Sequence, residues 1–226
     1  MAGLTQRLTH SAQAEELKTF NRVKLVGKDG EPIKAGLLSP YDAYVFDYPF
    51  KSTPCFLISL QNETARDVTL TTERQGKYQW AGGVGPDRKI VAFSAICAHQ
   101  LAYPSKETSA INYVAGKSKL AEGGKVKSSG VIVCCAHGSV YDPAAGAKVL
   151  TGPATQPLAT IALEHNKDTD ELYATGVFGA QLFDDFFKAY KQDLIATYGP
   201  GVAREPVTGT AATLPMAAYT KLQIHC

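Results

Sequence analysis

The chain has 226 residues, of which 45% are hydrophobic and 19% charged, so it has enough apolar material for a sizeable core and too little charge for general disorder. A formal net charge of +2, without any basic stretch interleaved with aromatic residues, argues against a nucleic-acid partner. No window of about 18 apolar residues occurs, and we therefore expect no membrane-spanning segment in this chain.

The N-terminal part predicts a short helix at residues 12–20. Residues 1–20 lack the apolar middle region of a secretory signal. We therefore expect either a cytoplasmic protein or a chain whose export signal or anchor is not part of this sequence.

Residues 23–179 have the pattern of an all-β unit. Short runs rich in Val, Ile, Phe and Tyr alternate with Gly, Pro, Asn and Asp, a spacing that predicts an antiparallel β sandwich or barrel. The predicted strands are 43–48, 55–60, 90–96, 110–114, 130–134, 158–164 and 171–174.

The C-terminal part changes character. Apolar residues at a spacing of three to four predict an amphipathic helix over 180–198, which Gly199 and Pro200 end. Residues 200–226, rich in Ala, Thr, Pro and Gly, predict an extended tail. We expect an N-terminal extension at 1–40, a β domain at 41–179, and the helix and tail at 180–226.

Two Cys–His pairs carry the chemistry. Cys97 and His99 follow one predicted strand, and Cys134 and His137 follow another. Two loops at neighbouring strand ends can bring two thiolates and two imidazoles together. Such a set suits either a structural zinc ion or a [2Fe–2S] cluster in which two histidines bind one iron. The remaining alternative is that these residues are unrelated.

The residues after the second pair favour the cluster. Gly138, Ser139, Tyr141 and Asp142 follow His137, and in this the sequence resembles the Rieske family. A zinc site gains nothing from a serine and a tyrosine at these positions. Hydroxyl hydrogen bonds to the sulfurs of a cluster stabilise its reduced form and raise its potential.

The resemblance implies a role for each residue. Cys97 and Cys134 would hold the inner iron of one Rieske-type [2Fe–2S] cluster, and His99 and His137 the outer iron. Ser139 would donate a hydrogen bond to a bridging sulfide, and Tyr141 would donate one to the sulfur of Cys97.

A third segment resembles the proline loop that covers the cluster in higher-potential Rieske proteins. In it Gly152, Pro153 and Ala154 would shield the cluster from water. The resemblance covers roughly residues 42–176, with the cluster-binding part at about 95–157. It is greatest to the small Rieske subunit of arsenite oxidase, alongside the Rieske subunits of cytochrome bc complexes.

The sequence also departs from that pattern. Ala102 and Ala136 stand where cytochrome bc Rieske subunits have cysteines that form a disulfide, so we predict no such disulfide here. An odd number of cysteines, five, speaks against a disulfide framework, and we predict that Cys135 is a buried free thiol. In the quinol-oxidising Rieske subunits a leucine at the position of Gln100 packs against the quinone pocket. The glutamine here therefore argues against quinol binding. Residues 117–127 predict an exposed hairpin or loop.

Together these features predict a one-electron carrier of relatively high potential that has no catalytic residues of its own. It would be a subunit or soluble partner of a respiratory or oxidase-type redox complex, to which any enzyme activity would belong. The partner is a redox protein or membrane complex that the sequence does not identify. The sequence is also compatible with an oligomer of this chain. The resemblance favours the cell envelope. The alternatives are a Rieske ferredoxin that serves an aromatic-ring dioxygenase and a zinc-stabilised binding module.

Overall fold

A computed structural model describes residues 15–74, 76–116 and 130–226, so the predicted loop at 117–127 and residues 12–14 of the predicted N-terminal helix lie outside it. The strands in chain order are β1 (Lys18–Val26), β2 (Ala43–Asp47), β3 (Pro54–Ser59), β4 (Val68–Thr72), β5 (Gly76–Trp80), β6 (Ile90–Ser94), β7 (Thr108–Ser109), β8 (Ile111–Ala115), β9 (Gly130–Cys134), β10 (Ser139–Asp142), β11 (Lys148–Thr151), β12 (Thr160–Asn166), β13 (Glu171–Phe178), β14 (Thr210–Ala212), β15 (Leu214–Pro215) and β16 (Leu222–Gln223). The α-helices are α1 (Gln181–Ala189), α2 (Lys191–Tyr198) and α3 (Met216–Tyr219).

Eight strands form the main sheet in the order β14-β1-β13-β12-β6-β3-β2-β15. β14 and β15 are separated only by Thr213, yet they lie at opposite edges of this sheet. β14 pairs in parallel with β1, and β15 pairs antiparallel with β2. The sheet therefore curls until one short segment covers both edges, which confirms the predicted barrel-type all-β fold.

β3 and β6 lie in the middle of the main sheet and are buried along their whole length. Side chains alternate between two hydrophobic cores: Cys55 and Leu57 belong to one core, and Phe56 and Ile58 belong to the other. Because both faces are covered, these strands read as continuous apolar runs rather than as an alternating pattern.

Between β6 and β12 the chain leaves the main sheet and forms a second sheet of four strands, in the order β11-β10-β9-β8. Ile132 and Tyr141 of this sheet share a buried cluster with Phe56 and Phe93 of the main sheet. The second core therefore joins the two sheets.

The predicted N-terminal helix is wrong where the structure describes it. β1 begins at Lys18 and pairs antiparallel with β13, with Lys18 opposite Val177. Its inward-facing residues Val23 and Leu25 are fully buried. Backbone pairing and this burial outweigh the weak helix preference of the preceding residues.

The single helix predicted at 180–198 is two helices. The backbone departs from helical geometry at Tyr190, with φ −106° and ψ 22°. The Tyr190 ring packs edge-on against Tyr103 and tilted against Phe186, with ring centroids 4.9 and 5.3 Å away. The break between α1 and α2 therefore coincides with an aromatic cluster beside residues 97–102.

The predicted extended tail contains β14, β15, α3 and β16, and β16 pairs in parallel with β7. This prediction is wrong in that the segment completes the main sheet and forms a separate two-stranded sheet with β7. In the described ranges, no helix combines the length and apolar character needed to cross a bilayer.

Candidate metal centre

The first Cys–His pair lies on a tight loop that follows β6. The backbone N–H of Cys97 donates to the carbonyl of Ala102 at 2.8 Å, and the N–H of Leu101 donates to the carbonyl of Cys97 at 3.0 Å. Leu101 has a left-handed backbone conformation, with φ 59°. These two bonds fold residues 97–102 back on themselves and set the direction in which His99 leaves the loop.

The second pair lies in the turn between β9 and β10. Cys134 is the last residue of β9 and faces Ser139, the first residue of β10, across the strand pair. The N–H of Gly138 donates to the carbonyl of Cys134 at 2.9 Å, and Gly138 has φ 78°, a conformation that glycine adopts without a steric penalty. We name residues 134–138 the second ligand loop.

The structure brings all four predicted ligand residues together as two pairs. The thiols of Cys97 and Cys134 are free, buried and hydrogen-bonded to each other. The rings of His99 and His137 lie edge to face, with centroids 4.9 Å apart. His99 is half-buried and His137 is exposed. The thiol pair thus faces the protein interior and the imidazole pair faces outward.

This arrangement fits a binuclear iron–sulfur cluster. The Nδ1 atom of His99 is buried and has no hydrogen-bond partner among the described residues, as expected of an atom that binds a metal. In the same ranges, no three His, Cys, Asp or Glu side chains converge closely enough to hold one metal ion. A buried thiol pair and an outer imidazole pair match the ligands of two bridged irons.

Tyr141 lies against the buried thiol pair. Its hydroxyl is 3.3 Å from Cys97 Sγ and accepts a hydrogen bond from the N–H of Ala98 at 3.2 Å. Because the Tyr141 oxygen is the acceptor in the bond from Ala98, the Tyr141 hydroxyl proton is free to point at Cys97 Sγ. Hydrogen bonds from Cys134, from Tyr141 and from backbone N–H groups lower the pKa of Cys97, and burial raises the pKa of Tyr141.

The segment around Gly152 covers the second ligand loop. The N–H of Ala154 donates to Ser139 Oγ at 3.2 Å, and both residues are buried. A Cβ atom at Gly152 would lie only 2.5 Å from the carbonyl oxygen of Gly138. Gly152 is therefore required for this close approach, while Pro153 is exposed.

The prediction that Cys135 is a free thiol is wrong. Cys135 forms a disulfide with Cys226, which is 91 positions away in the sequence, and their Cα atoms are 5.7 Å apart. The tail that carries Cys226 returns to the second ligand loop, a proximity that no local spacing indicates. The only sign in the sequence is that Cys135 lies inside a ligand motif without a role there.

Comparison with known proteins agrees with the site. Residues 64–162 match the family of the Rieske [2Fe–2S] domain, and this range includes all four residues of the two pairs. Among solved structures, the chain is similar to the soluble domain of the Rieske protein II (soxF) from Sulfolobus acidocaldarius. The sequence identity is 26%, with 70% of this chain and 78% of that chain covered and a TM-score of 0.45. Residues 64–162 thus match the model of a Rieske domain, a type of domain that binds a [2Fe–2S] cluster and transfers electrons.

Proposed function

We propose that Cys97, His99, Cys134 and His137 hold the cluster, and that the chain transfers single electrons at relatively high potential within a respiratory or oxidase-type redox complex. It would act as a subunit or a soluble partner of that complex. The observation that carries the proposal is the pairing of the four side chains, with two thiols buried side by side and two imidazoles on the outer side.

The pairing supports a distinct task for each side chain. The buried thiolates of Cys97 and Cys134 would anchor the inner iron, and the rings of His99 and His137 would bind the outer iron near the surface. The bound cluster supplies a one-electron couple. The outward position of the two rings gives a partner protein a short path to that couple, and the surrounding strands hold the ligands in place.

The hydroxyls of Tyr141 and Ser139 support a high potential. Tyr141 is placed to donate to Cys97 Sγ, and Ser139 Oγ accepts from Ala154. No described residue takes the Ser139 proton, which is then available to a sulfide. Donors to the sulfurs stabilise the added electron and raise the potential.

We also propose that residues 95–157 are the cluster-binding part of the domain expected at 41–179, whose main sheet additionally includes β1, β14 and β15 from outside those bounds. The four-stranded sheet of β8 to β11 lies within that range and supports the division.

Metal analysis and spectroscopy test the ligand assignment. The purified protein should contain iron and acid-labile sulfide in equal amounts and give a paramagnetic signal after reduction. Cys97→Ser should abolish both. Cys55→Ser is the matched control, because Cys55 is an equally buried free thiol in the other core. A colourless wild-type protein that contains zinc would contradict the assignment.

A redox titration tests the class of carrier. We expect a midpoint in the upper half of the roughly −150 to +300 mV range of Rieske centres. A midpoint at the lower end would instead support a ferredoxin that serves a ring dioxygenase. The complex itself should be identified by the redox proteins that co-purify with the full chain from its native cells.

The disulfide supports a location on the cell-envelope side of the membrane. Disulfides persist in oxidising compartments and are rare in the cytosol. Trapping free thiols in intact cells by acid quench and alkylation should leave Cys135 and Cys226 unlabelled. Full labelling of both residues would argue for a cytoplasmic location.

A further inference from the structure

The end of the chain forms a strand beside the segment that precedes β8. β16 pairs in parallel with β7, with Leu222 opposite Thr108 and Gln223 opposite Ser109. We name residues 221–226 the tail segment. Its pairing partner at 105–112 lies between the two ligand loops in the sequence.

Further hydrogen bonds extend this contact beyond the strand pair. The N–H of Ile224 donates to the carbonyl of Ser109 at 2.8 Å, and the Nδ2 of Asn112 donates to the carbonyl of Ile224 at 2.9 Å. Asn112 is buried, so its bond to the tail segment is partly shielded from water. The tail segment is therefore fixed along its length before it reaches Cys226.

Two bonds then connect this unit to the second ligand loop. The disulfide joins Cys226 to Cys135, and the N–H of Cys135 donates to the carbonyl of Ala110 at 2.7 Å. Cys135 is adjacent to Cys134 and two positions before His137. The tail segment, residues 105–112 and the second ligand loop thus form one closed, cross-linked unit.

We propose that the tail segment braces the second ligand loop, and that Cys226 is a positioning residue for His137. The inference rests on the proposed ligand set. Ala102 and Ala136 leave the two ligand loops without a covalent link to each other. The disulfide to Cys226 constrains the second ligand loop from outside instead. The brace slows loss of the cluster by limiting the excursions of His137, the more exposed imidazole.

The test compares Cys226→Ser, the double variant Cys135→Ala with Cys226→Ala, and Lys221→Ala. The double variant shows whether an unpaired Cys135 thiol causes any effect of the single variant. Lys221→Ala is the control, because its ion pair with Glu107 is exposed on both sides and contributes little. The first measurement is peptide mapping without reductant, which should recover a cross-linked peptide containing Cys135 and Cys226 from the wild type.

The second measurement is amide hydrogen exchange of residues 130–138. Both cysteine variants should exchange faster there, and Lys221→Ala should match the wild type. The third is iron release to a chelator, which we expect to be about tenfold faster in both cysteine variants, as is typical when groups behind a metal ligand are removed. The EPR signal of the loaded protein should broaden as His137 gains freedom.

Unchanged exchange and unchanged iron release in both cysteine variants would overturn the brace. Absence of iron from the wild type would instead overturn the proposed function, and the peptide map and the exchange measurement do not depend on iron. A variant that fails to fold is replaced by wild-type protein treated with a phosphine reductant and alkylated, in which the same faster release is expected.

Discussion

Asp47 is the last residue of β2. Its carboxyl oxygen Oδ1 is buried and has no hydrogen-bond partner in the described part of the chain. Burial raises the pKa of this carboxyl to about 7 from an ordinary value of 3.8. Between these two values the folded protein binds a proton that the unfolded chain has lost. The free energy of unfolding should therefore fall as the pH rises from about 4 to about 7, and then level off.

The variant Asp47→Asn removes this dependence. We expect it to be more stable than the wild type at pH 8, by about 1–3 kcal/mol, and similar to it at pH 4, where the wild-type carboxyl is neutral. Urea unfolding at both pH values measures the difference. Asp168→Asn, on an exposed turn, is the control and should change neither value. Equal stability of Asp47→Asn and wild type at pH 8 would contradict the prediction.

Tyr141 offers a test of the potential. Tyr141→Phe keeps the buried ring and removes the hydroxyl that faces Cys97 Sγ. A hydrogen bond that favours the reduced form by about 1 kcal/mol corresponds to about 40 mV for one electron. We expect a drop of that order in the midpoint potential, measured by redox titration.

Tyr113→Phe is the control for this substitution, because Tyr113 is a partly buried tyrosine on β8 whose hydroxyl is not paired with the thiols. Its potential should match that of the wild type. A potential of Tyr141→Phe equal to or above the wild-type value would show that the hydroxyl does not donate to the sulfur.

At the scale of single elements, the segment around Gly152 depends on the absence of a side chain. Gly152→Ala would place a methyl group 2.5 Å from the carbonyl oxygen of Gly138, at a φ of 93°. We expect the segment to move away from the second ligand loop, with a stability loss of about 1–3 kcal/mol and faster iron release.

Gly199→Ala separates the two causes of this effect. Gly199 has nearly the same φ, 90°, but its nearest neighbour would be 3.9 Å from the added methyl group, and it lies at the end of α2. The Gly199→Ala variant should have a lower melting temperature because of backbone strain alone, and its iron release should be unchanged. Equal iron release in both variants would mean that the Gly152 segment does not protect the cluster.

The elements differ in how well the sequence predicted them, and the reason is physical. β9 was predicted at its observed bounds, 130–134, because it is buried on both faces and reads as an unbroken apolar run. β1 was missed because its outward residues are charged and its order comes from pairing with β13, far along the chain. The break at Tyr190 was missed because it coincides with packing against Tyr103, which periodicity does not report.

The candidate site likewise combines features set by the local sequence with features set by distant parts of the chain. The pairs Cys97–His99 and Cys134–His137 are local patterns, so the sequence alone was enough to propose them. Their meeting in space, with the thiols inside and the rings outside, follows from the placement of two loops on neighbouring sheets. The link from Cys135 to Cys226 had no local pattern, because it depends on the path of the whole C-terminal part.

For the whole molecule, two truncations separate closure of the barrel from bracing of the site. A chain that ends at Thr220 keeps β14, β15 and α3 and loses only the tail segment. We expect it to fold and to release iron as fast as Cys226→Ser. A chain that ends at Gly209 also loses β14 and β15, which leaves the edges of β1 and β2 unpaired.

The shorter chain should melt at a clearly lower temperature and aggregate, because unpaired edge strands pair with other molecules. Circular dichroism during heating and size-exclusion chromatography measure both effects. The chain that ends at Thr220 serves as the control for loss of length at this end. Similar melting and elution of the two truncated chains would show that β14 and β15 are dispensable for closure.

Barrel closure through β14 has a consequence for synthesis of the protein. Lys24 of β1 pairs with Thr210, so β1 leaves the ribosome 186 residues before its outer neighbour (210 − 24). During that interval it is an open strand in a crowded cell, exposed to premature association. Its Lys18, Arg22 and Lys24 side chains carry like charges, and we expect these to oppose pairing between nascent copies until the sheet is complete.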